Sequence, residues 1–244
     1  MSVIHVSDLH FVRGDRRMRE FLAGLPEADV AVLTGDVVGE PEAVEEATAA
    51  LHPVRGRAAS IVVLGSNDYY RPTPINYLRY FQGSRRPRVG RLGRGAELIE
   101  QLTADGWTYL RNERVSTDLD GTPAEIVGLD DAHILRHDLR TAVRSAPDRF
   151  GLAVLHSPDP APELAALGYE LIIAGHTHGG QVRMPIAGAL VTNSQLPRRL
   201  SAGLIRIGPA FLNISAGLGT SKYAPFRFLC PPEATLLELA PRKR

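Results

Sequence analysis

Two pairs of ligand-type residues stand one residue apart in this chain: Asp8-Leu9-His10 near the start and His176-Thr177-His178 late. Carboxylate oxygens and imidazole nitrogens are ordinary donors to divalent first-row metals. A site built from them can polarise a substrate oxygen or activate water. Gly35-Asp36, Gly65-Ser66-Asn67-Asp68 and His156 add donors of the same kind. Cys230 is the single cysteine, so no intrachain disulfide is available, and the oxygen and imidazole donors do not make a thiolate zinc site.

Each group follows a short apolar run. Val3 to Val6 leads into Asp8 and His10, and Val32-Leu33-Thr34 into Asp36. Ile61 to Leu64 leads into Gly65 to Asp68, Ala153-Val154-Leu155 into His156, and Leu171 to Ala174 into Gly175-His176. Such runs read as buried strands, and ligands of α/β folds bind at the carboxyl ends of strands. A lone Asp after a strand is usually a turn residue, and a lone His usually a hydrogen-bonded loop residue. The repetition at five strand ends is what points to one shared site.

The elements that must position these residues follow from the pattern. Helices are expected over 16–25, 42–51 and 96–105 by their amphipathic spacing. Strands are expected over 3–6, 30–34, 60–64, 125–128, 152–155, 171–174, 204–207, 211–214 and 235–239, with a hairpin-like segment through Tyr109 and Val115. Residues 71–95 break the rhythm with Pro72, Pro74, Pro87 and the cluster Arg85-Arg86-Pro87-Arg88, and read as an irregular loop or cap within one domain spanning 1–244. Pattern alone gives an α/β chain. His5 reads as a satisfied core histidine, Asp130-Asp131 as a turn after a strand, and His52 as a helix-end residue.

Composition excludes more than it selects. A chain of 244 residues with 44% hydrophobic and 23% charged residues is an ordinary globular one. A net charge of +1 argues for neither nucleic acid nor membrane, and no extended basic-aromatic surface marks a nuclease. No apolar run reaches bilayer length and no signal pattern precedes Asp8, so a cytoplasmic location is the expectation. Oligomeric state has no signature here.

Taken in order, Asp8-Leu9-His10, Gly35-Asp36, Gly65-Ser66-Asn67-Asp68, His156 and Gly175-His176-Thr177-His178 resemble the motifs of the calcineurin-like metallophosphoesterases. The resemblance continues through Gly179-Gly180-Gln181, Gly217-Leu218-Gly219, Arg227-Phe228 and Pro232-Glu233, features similar to the bacterial branch that includes the YkuE and YaeI phosphoesterases. It implies a four-layer αββα sandwich of two mixed β-sheets flanked by helices. It also implies two divalent cations, manganese, iron or zinc. Asp8, His10 and His178 would hold the first, Asp36 would bridge, and His156, His176 and an amide oxygen would hold the second. The implied activity is hydrolysis of a phosphoester or pyrophosphate bond by a hydroxide shared between the cations. Asp36, Asn67 and His176 form the expected catalytic set. Arg85, Arg86 and Arg88 read either as a solvated Arg-rich loop or as a collar for a phosphorylated small molecule, nucleotide or lipid-linked substrate, and Tyr69 either as packing under that loop or as lining the substrate cleft.

The third motif departs from the family's usual Gly-Asn-His-Asp. Read without a gap, Ser66 replaces the ligand Asn and Asn67 replaces the His; read with a local shift, Asn67 remains the ligand. Asn67 is preferred because an amide oxygen has the reach that Ser Oγ lacks. Either way the motif His is gone, and with it a general acid, a group commonly worth about 10²–10⁴-fold. His133 and His137 are other imidazoles that could supply a proton, although both read more simply as loop residues. The loss also leaves open an alternative, a binding or scaffold protein on the same fold with impaired catalysis.

Overall fold

The structure is a computed structural model that describes residues 1–72 and 90–240. Its helices are α1 (Arg16–Ala23), α2 (Val44–Leu51), α3 (Ser66–Tyr69), α4 (Gly95–Ala104) and α5 (Ala161–Ala166). Its strands are β1 (Ser2–Val6), β2 (Val30–Leu33), β3 (Ala59–Val62), β4 (Thr108–Tyr109), β5 (Glu113–Leu119), β6 (Thr122–Gly128) and β7 (Phe150–Val154). They continue with β8 (Leu171–Ala174), β9 (Arg183–Met184), β10 (Gly188–Ala189), β11 (Gly203–Ile207), β12 (Ala210–Ile214) and β13 (Thr235–Glu238).

Two mixed sheets result. The first has the order β13-β1-β2-β3-β4 and the second β11-β12-β8-β7-β6-β5. Among the described residues of these two sheets, only the outer pairs β13–β1, β11–β12 and β5–β6 are antiparallel and the inner strands run parallel; β9 and β10 form a separate antiparallel pair. The parallel strands are apolar on both faces because both faces are covered. In β2, Val30 and Val32 pack between the sheets against Ile126, Leu152, Val154 and Ile173, while Ala31 and Leu33 pack outward. The outward layer meets Leu22, Leu51, Leu98 and Leu102 of α1, α2 and α4. The far face of the second sheet, with Ala153, Ile172 and Ile214, is covered by Leu164 and Ala165 of α5. Helix, sheet, sheet and helix make the four layers that the resemblance implies.

The segment through Tyr109 and Val115 is not a hairpin. Thr108–Tyr109 adds in parallel to β3 of the first sheet, whereas Val115 lies in β5 of the second. The true hairpin joins β5 to β6 through Asp120 and Gly121, both at positive φ (51° and 80°), the geometry of a two-residue turn matched to strand twist. The flanks of the 71–95 excursion are tied together by Arg71 N–H donating to Arg91 O (2.8 Å) and Gly93 N–H to Tyr69 O (2.7 Å). Arg85, Arg86 and Arg88 lie outside the described residues.

Candidate metal centre

Parallel pairing fixes where the loops meet. β1 runs beside β2, β2 beside β3, and β7 beside β8, so the loops after these strands emerge at common edges. Backbone bonds then lace them: Asp8 N–H donates to Gly35 O (3.0 Å), His10 N–H to Asp36 O (3.0 Å) and Gly175 N–H to His156 O (2.9 Å). His176 N–H bridges the two sheets by donating to Asp8 Oδ2 (2.9 Å).

The side chains converge in two groups that share Asp36. On one side, His10 Nε2 is 3.1 Å from His178 Nε2 and 3.7 Å from Asp36 Oδ2, and His178 Nε2 is 3.4 Å from Asp8 Oδ1. Ligand atoms of Asp8, His10, Asp36 and His178 all lie within 4.8 Å of one another. On the other side, His156 Nε2 is 3.6 Å from Asp36 Oδ1 and 3.2 Å from His176 Nδ1. His156 donates through Nδ1 to Thr34 O (2.6 Å), which turns its Nε2 toward the cluster; burial works to lower this imidazole, but the Asp36, Asp131 and Asp8 carboxylates outweigh it and push it up to about 9.

Asn67, not Ser66, stands against this carboxylate: its backbone N–H donates to Asp36 Oδ1 (2.9 Å) and its Nδ2 to Asp36 Oδ2 (2.5 Å). Asp68 works locally. It accepts from Gly65 N–H (2.9 Å), Val37 N–H (2.8 Å) and Val38 N–H (3.3 Å), clamping the second and third loops together.

The electrostatics suit a cation. Burial holds His178 down at about 4 despite the nearby Asp8 carboxylate, and holds His176 well below its ordinary value, helped by His133 and His156. Neutral imidazoles are the ligating form. Burial works to raise Asp36, but His156, His10 and the two Asn67 bonds outweigh it and keep the carboxyl well below the usual range. Asp8 Oδ1 and His10 Nδ1 are buried without hydrogen-bond partners. An unpartnered buried carboxylate oxygen beside two imidazole nitrogens is a donor set that a divalent metal satisfies.

Other residues are placed in ways the motifs do not disclose. His133 is not a detached loop residue; its ring lies 4.4 Å, centroid to centroid, from His176. Asp131 is fully buried rather than an open turn. Its Oδ1 accepts from His133 N–H (2.8 Å), and burial pushes its carboxyl up to about 7 against the pull of His156. Tyr69 carries the Arg136 guanidinium 4.3 Å from its ring centroid and shares a 3.0 Å hydrogen bond with the Tyr109 hydroxyl. Arg136 and Arg111 each donate through Nε to Asp130 Oδ2 at 3.0 Å, a cationic pair tied to the same loop as His133. Arg227 donates to Gly217 O (3.1 Å) and Gly219 O (2.6 Å), and Cys230 Sγ to His178 O (3.3 Å). The sequence offered Asp130-Asp131 and Arg227 only as a doublet and a late motif. His52 pairs with Asp105 (2.6 Å) at the surface.

The two-sheet sandwich gathers carboxylates and imidazoles at its strand ends into a cluster that could hold a metal ion. Residues 1–180 match the family model described as calcineurin-like phosphoesterase, and the chain belongs to that family. YkuE of Bacillus subtilis, described as an uncharacterized metallophosphoesterase, is 27% identical over 98% of this chain and 77% of its own length. The phosphodiesterase YaeI of Escherichia coli is 31% identical over 57% of this chain and 50% of its own. Among solved structures, a phosphopantetheinyl hydrolase of Mycobacterium tuberculosis matches 87% of this chain and 88% of its own at TM-score 0.52 and 13% identity, a likeness of fold. The chain is a metal-dependent phosphoesterase. Among the described residues, no helix is long and apolar enough to cross a membrane.

Proposed function

We propose that the centre takes two divalent cations and hydrolyses a phosphoester or pyrophosphate bond of a phosphorylated small molecule, nucleotide or lipid-linked substrate. The observation that carries this reading is the placement of Asp36, whose Oδ2 faces His10 and whose Oδ1 faces His156. Asp8, His10, Asp36 and His178 would hold one cation; Asp36, Asn67, His156 and His176 would hold the other. The mixture of oxygen and imidazole donors suits manganese, iron or zinc. Bound cations supply Lewis-acid neutralisation of phosphoryl oxygens and a water of lowered pKa.

The chain's own residues prepare that chemistry. Burial keeps His176 and His178 unprotonated, so each retains a lone pair. Asn67 holds the Asp36 carboxylate through two N–H groups, and a half turn of its amide presents oxygen in place of nitrogen. Asn67 has no proton to give as an acid, which favours substrates whose leaving group needs little help, such as aryl phosphates and nucleoside diphosphate conjugates. In this reading Tyr69 would meet the substrate, with the Arg136 guanidinium over its ring and Arg136 and Arg111 sharing the Asp130 carboxylate.

Metal analysis with hydrolysis of an aryl phosphate in manganese tests the reading. Wild-type protein should bind two equivalents. Asp36→Asn should lose metal and about 10³-fold in rate, since the Lewis-acid contribution is several kcal/mol. One equivalent at saturation, or an Asp36→Asn variant with wild-type rate, would refute it.

A further inference from the structure

We propose that His5 is a positioning residue for metal uptake: through Thr34 and Ser7 it fixes Asp8 so that Oδ2 is held by hydrogen bonds and Oδ1 is left for a cation. The proposal rests on the reading that the centre binds metal.

The chain of contacts is continuous and fully buried. Asn213 Nδ2 lies 2.8 Å from His5 Nδ1, His5 Nε2 lies 2.9 Å from Thr34 Oγ1, and Thr34 Oγ1 lies 2.6 Å from Ser7 Oγ. Ser7 Oγ lies 2.5 Å from Asp8 Oδ2, which also accepts from His176 N–H at 2.9 Å. His5, Ser7, Asp8, Thr34 and Asn213 are each 0% exposed.

Its direction follows from the carboxylate end. A carboxylate only accepts, so Ser7 must donate to Asp8. Ser7 has then spent its one proton, so Thr34 must donate to Ser7. Thr34 has then spent its own, so His5 must donate from Nε2. A neutral imidazole protonated at Nε2 is bare at Nδ1, so the Asn213 amide must present N–H there. Four hydrogen positions and one amide orientation are thus set by one charge. Burial holds His5 at about 3 despite the nearby Asp8, consistent with one bare ring nitrogen.

A histidine needing only satisfaction in the core would not explain the remainder. Asn213 Oδ1 is left buried without a partner, a cost that an apolar residue at this intersheet position would not incur. At the other end Asp8 Oδ1 is also unpartnered and lies 3.4 Å from His178 Nε2. The chain therefore spans β12, β1 and the end of β2 and terminates on the oxygen opposite the cation-facing one. Second-sphere hydrogen bonds of this kind orient ligands, and their loss commonly lowers metal affinity about 10–100-fold.

Two readouts on the full chain test the proposal, neither depending on turnover. In metal-free protein, ¹⁵N–¹H correlation of the His5 ring should show Nε2 protonated and Nδ1 bare; the reverse tautomer overturns the proposal. By calorimetry, Thr34→Val and Ser7→Ala should weaken manganese binding at the site lost in Asp8→Asn by about 10–100-fold, while Thr34→Ser, which keeps the hydroxyl, restores most of it. If Thr34→Val does not fold, Ser7→Ala carries the measurement. Wild-type affinity in these variants, or failure of Thr34→Ser to rescue, overturns the relay alone. A wild-type protein that binds no divalent cation overturns the metal reading and the relay with it.

Discussion

Asp8, His10, Asp36, His176 and His178 all have positive φ, at 49°, 43°, 51°, 70° and 50°. Left-handed backbone costs an L-residue roughly 1–2 kcal/mol, and non-glycine residues keep it only where the surroundings over-determine it. Here the bonds between loops do so, turning each side chain sharply off its strand end into the shared centre. Asn67 is the residue whose identity bears most on chemistry. With no acid in the motif, the rate should fall by about 10²-fold or more from aryl to alkyl phosphates. Rates across leaving groups of graded pKa check this, and a flat dependence would remove the argument about leaving groups.

At the scale of elements, the centre requires loops to approach more closely than side chains allow. A Cβ on Gly65 would run into Asp36 Oδ1 and lie 2.7 Å from His156 Cε1; one on Gly175 would run into Ser7 Oγ. Gly121, at the β5–β6 turn, has nothing within 4 Å and needs only its φ of +80°. The two cases separate sterics from backbone freedom. Gly121→Ala should lower stability by about 1 kcal/mol with activity unchanged. Gly65→Ala should cost about 1–3 kcal/mol through overpacking and at least about 100-fold in rate, because displacing Asp36 misplaces the cluster of metal-ligand atoms around it. Urea unfolding alongside aryl phosphate hydrolysis distinguishes them; equal rates in the two variants would show that the close approach is unimportant.

For the molecule as a whole, placing polar groups between two sheets makes metal-free stability depend on pH. Unfolded histidine titrates near 6.5, whereas His5 in the folded chain stays neutral down to about 3, chiefly through burial and against the attraction of Asp8. Between these values the unfolded chain holds the extra proton. The contribution of His5 is therefore fully present above about pH 6.5 and is lost as pH falls toward 3. His178, held at about 4, acts in the same direction. From pH 7.5 to 4.5, metal-free wild type should lose about 2–3 kcal/mol more than His5→Leu. Urea midpoints of both proteins at the two pH values provide the check, and parallel losses would show that His5 does not titrate on unfolding.

The sequence by itself determined the local features: short apolar runs that become β1, β2, β3, β7 and β8, and the ligand-type residues immediately beyond them. Both are written in contiguous residues, so they are legible without coordinates, as are the helices expected over 16–25 and 96–105, which the structure forms at Arg16–Ala23 and Gly95–Ala104. His5 likewise read as a satisfied core residue, and its two ring nitrogens do have partners. Only the tertiary structure decided which sheet each strand joins, which separated Tyr109 from Val115. It also decided that Asn67 faces Asp36, that His133 touches His176, and that Ser7, Thr34 and His5 link Asp8 to Asn213 by hydrogen bonds. These are contacts between residues far apart in the chain, 168 positions in the case of His10 and His178. They depend on strand order and register, which no local pattern encodes, and on Ser, Thr and Asn, residue types too common to stand out until their neighbours are known.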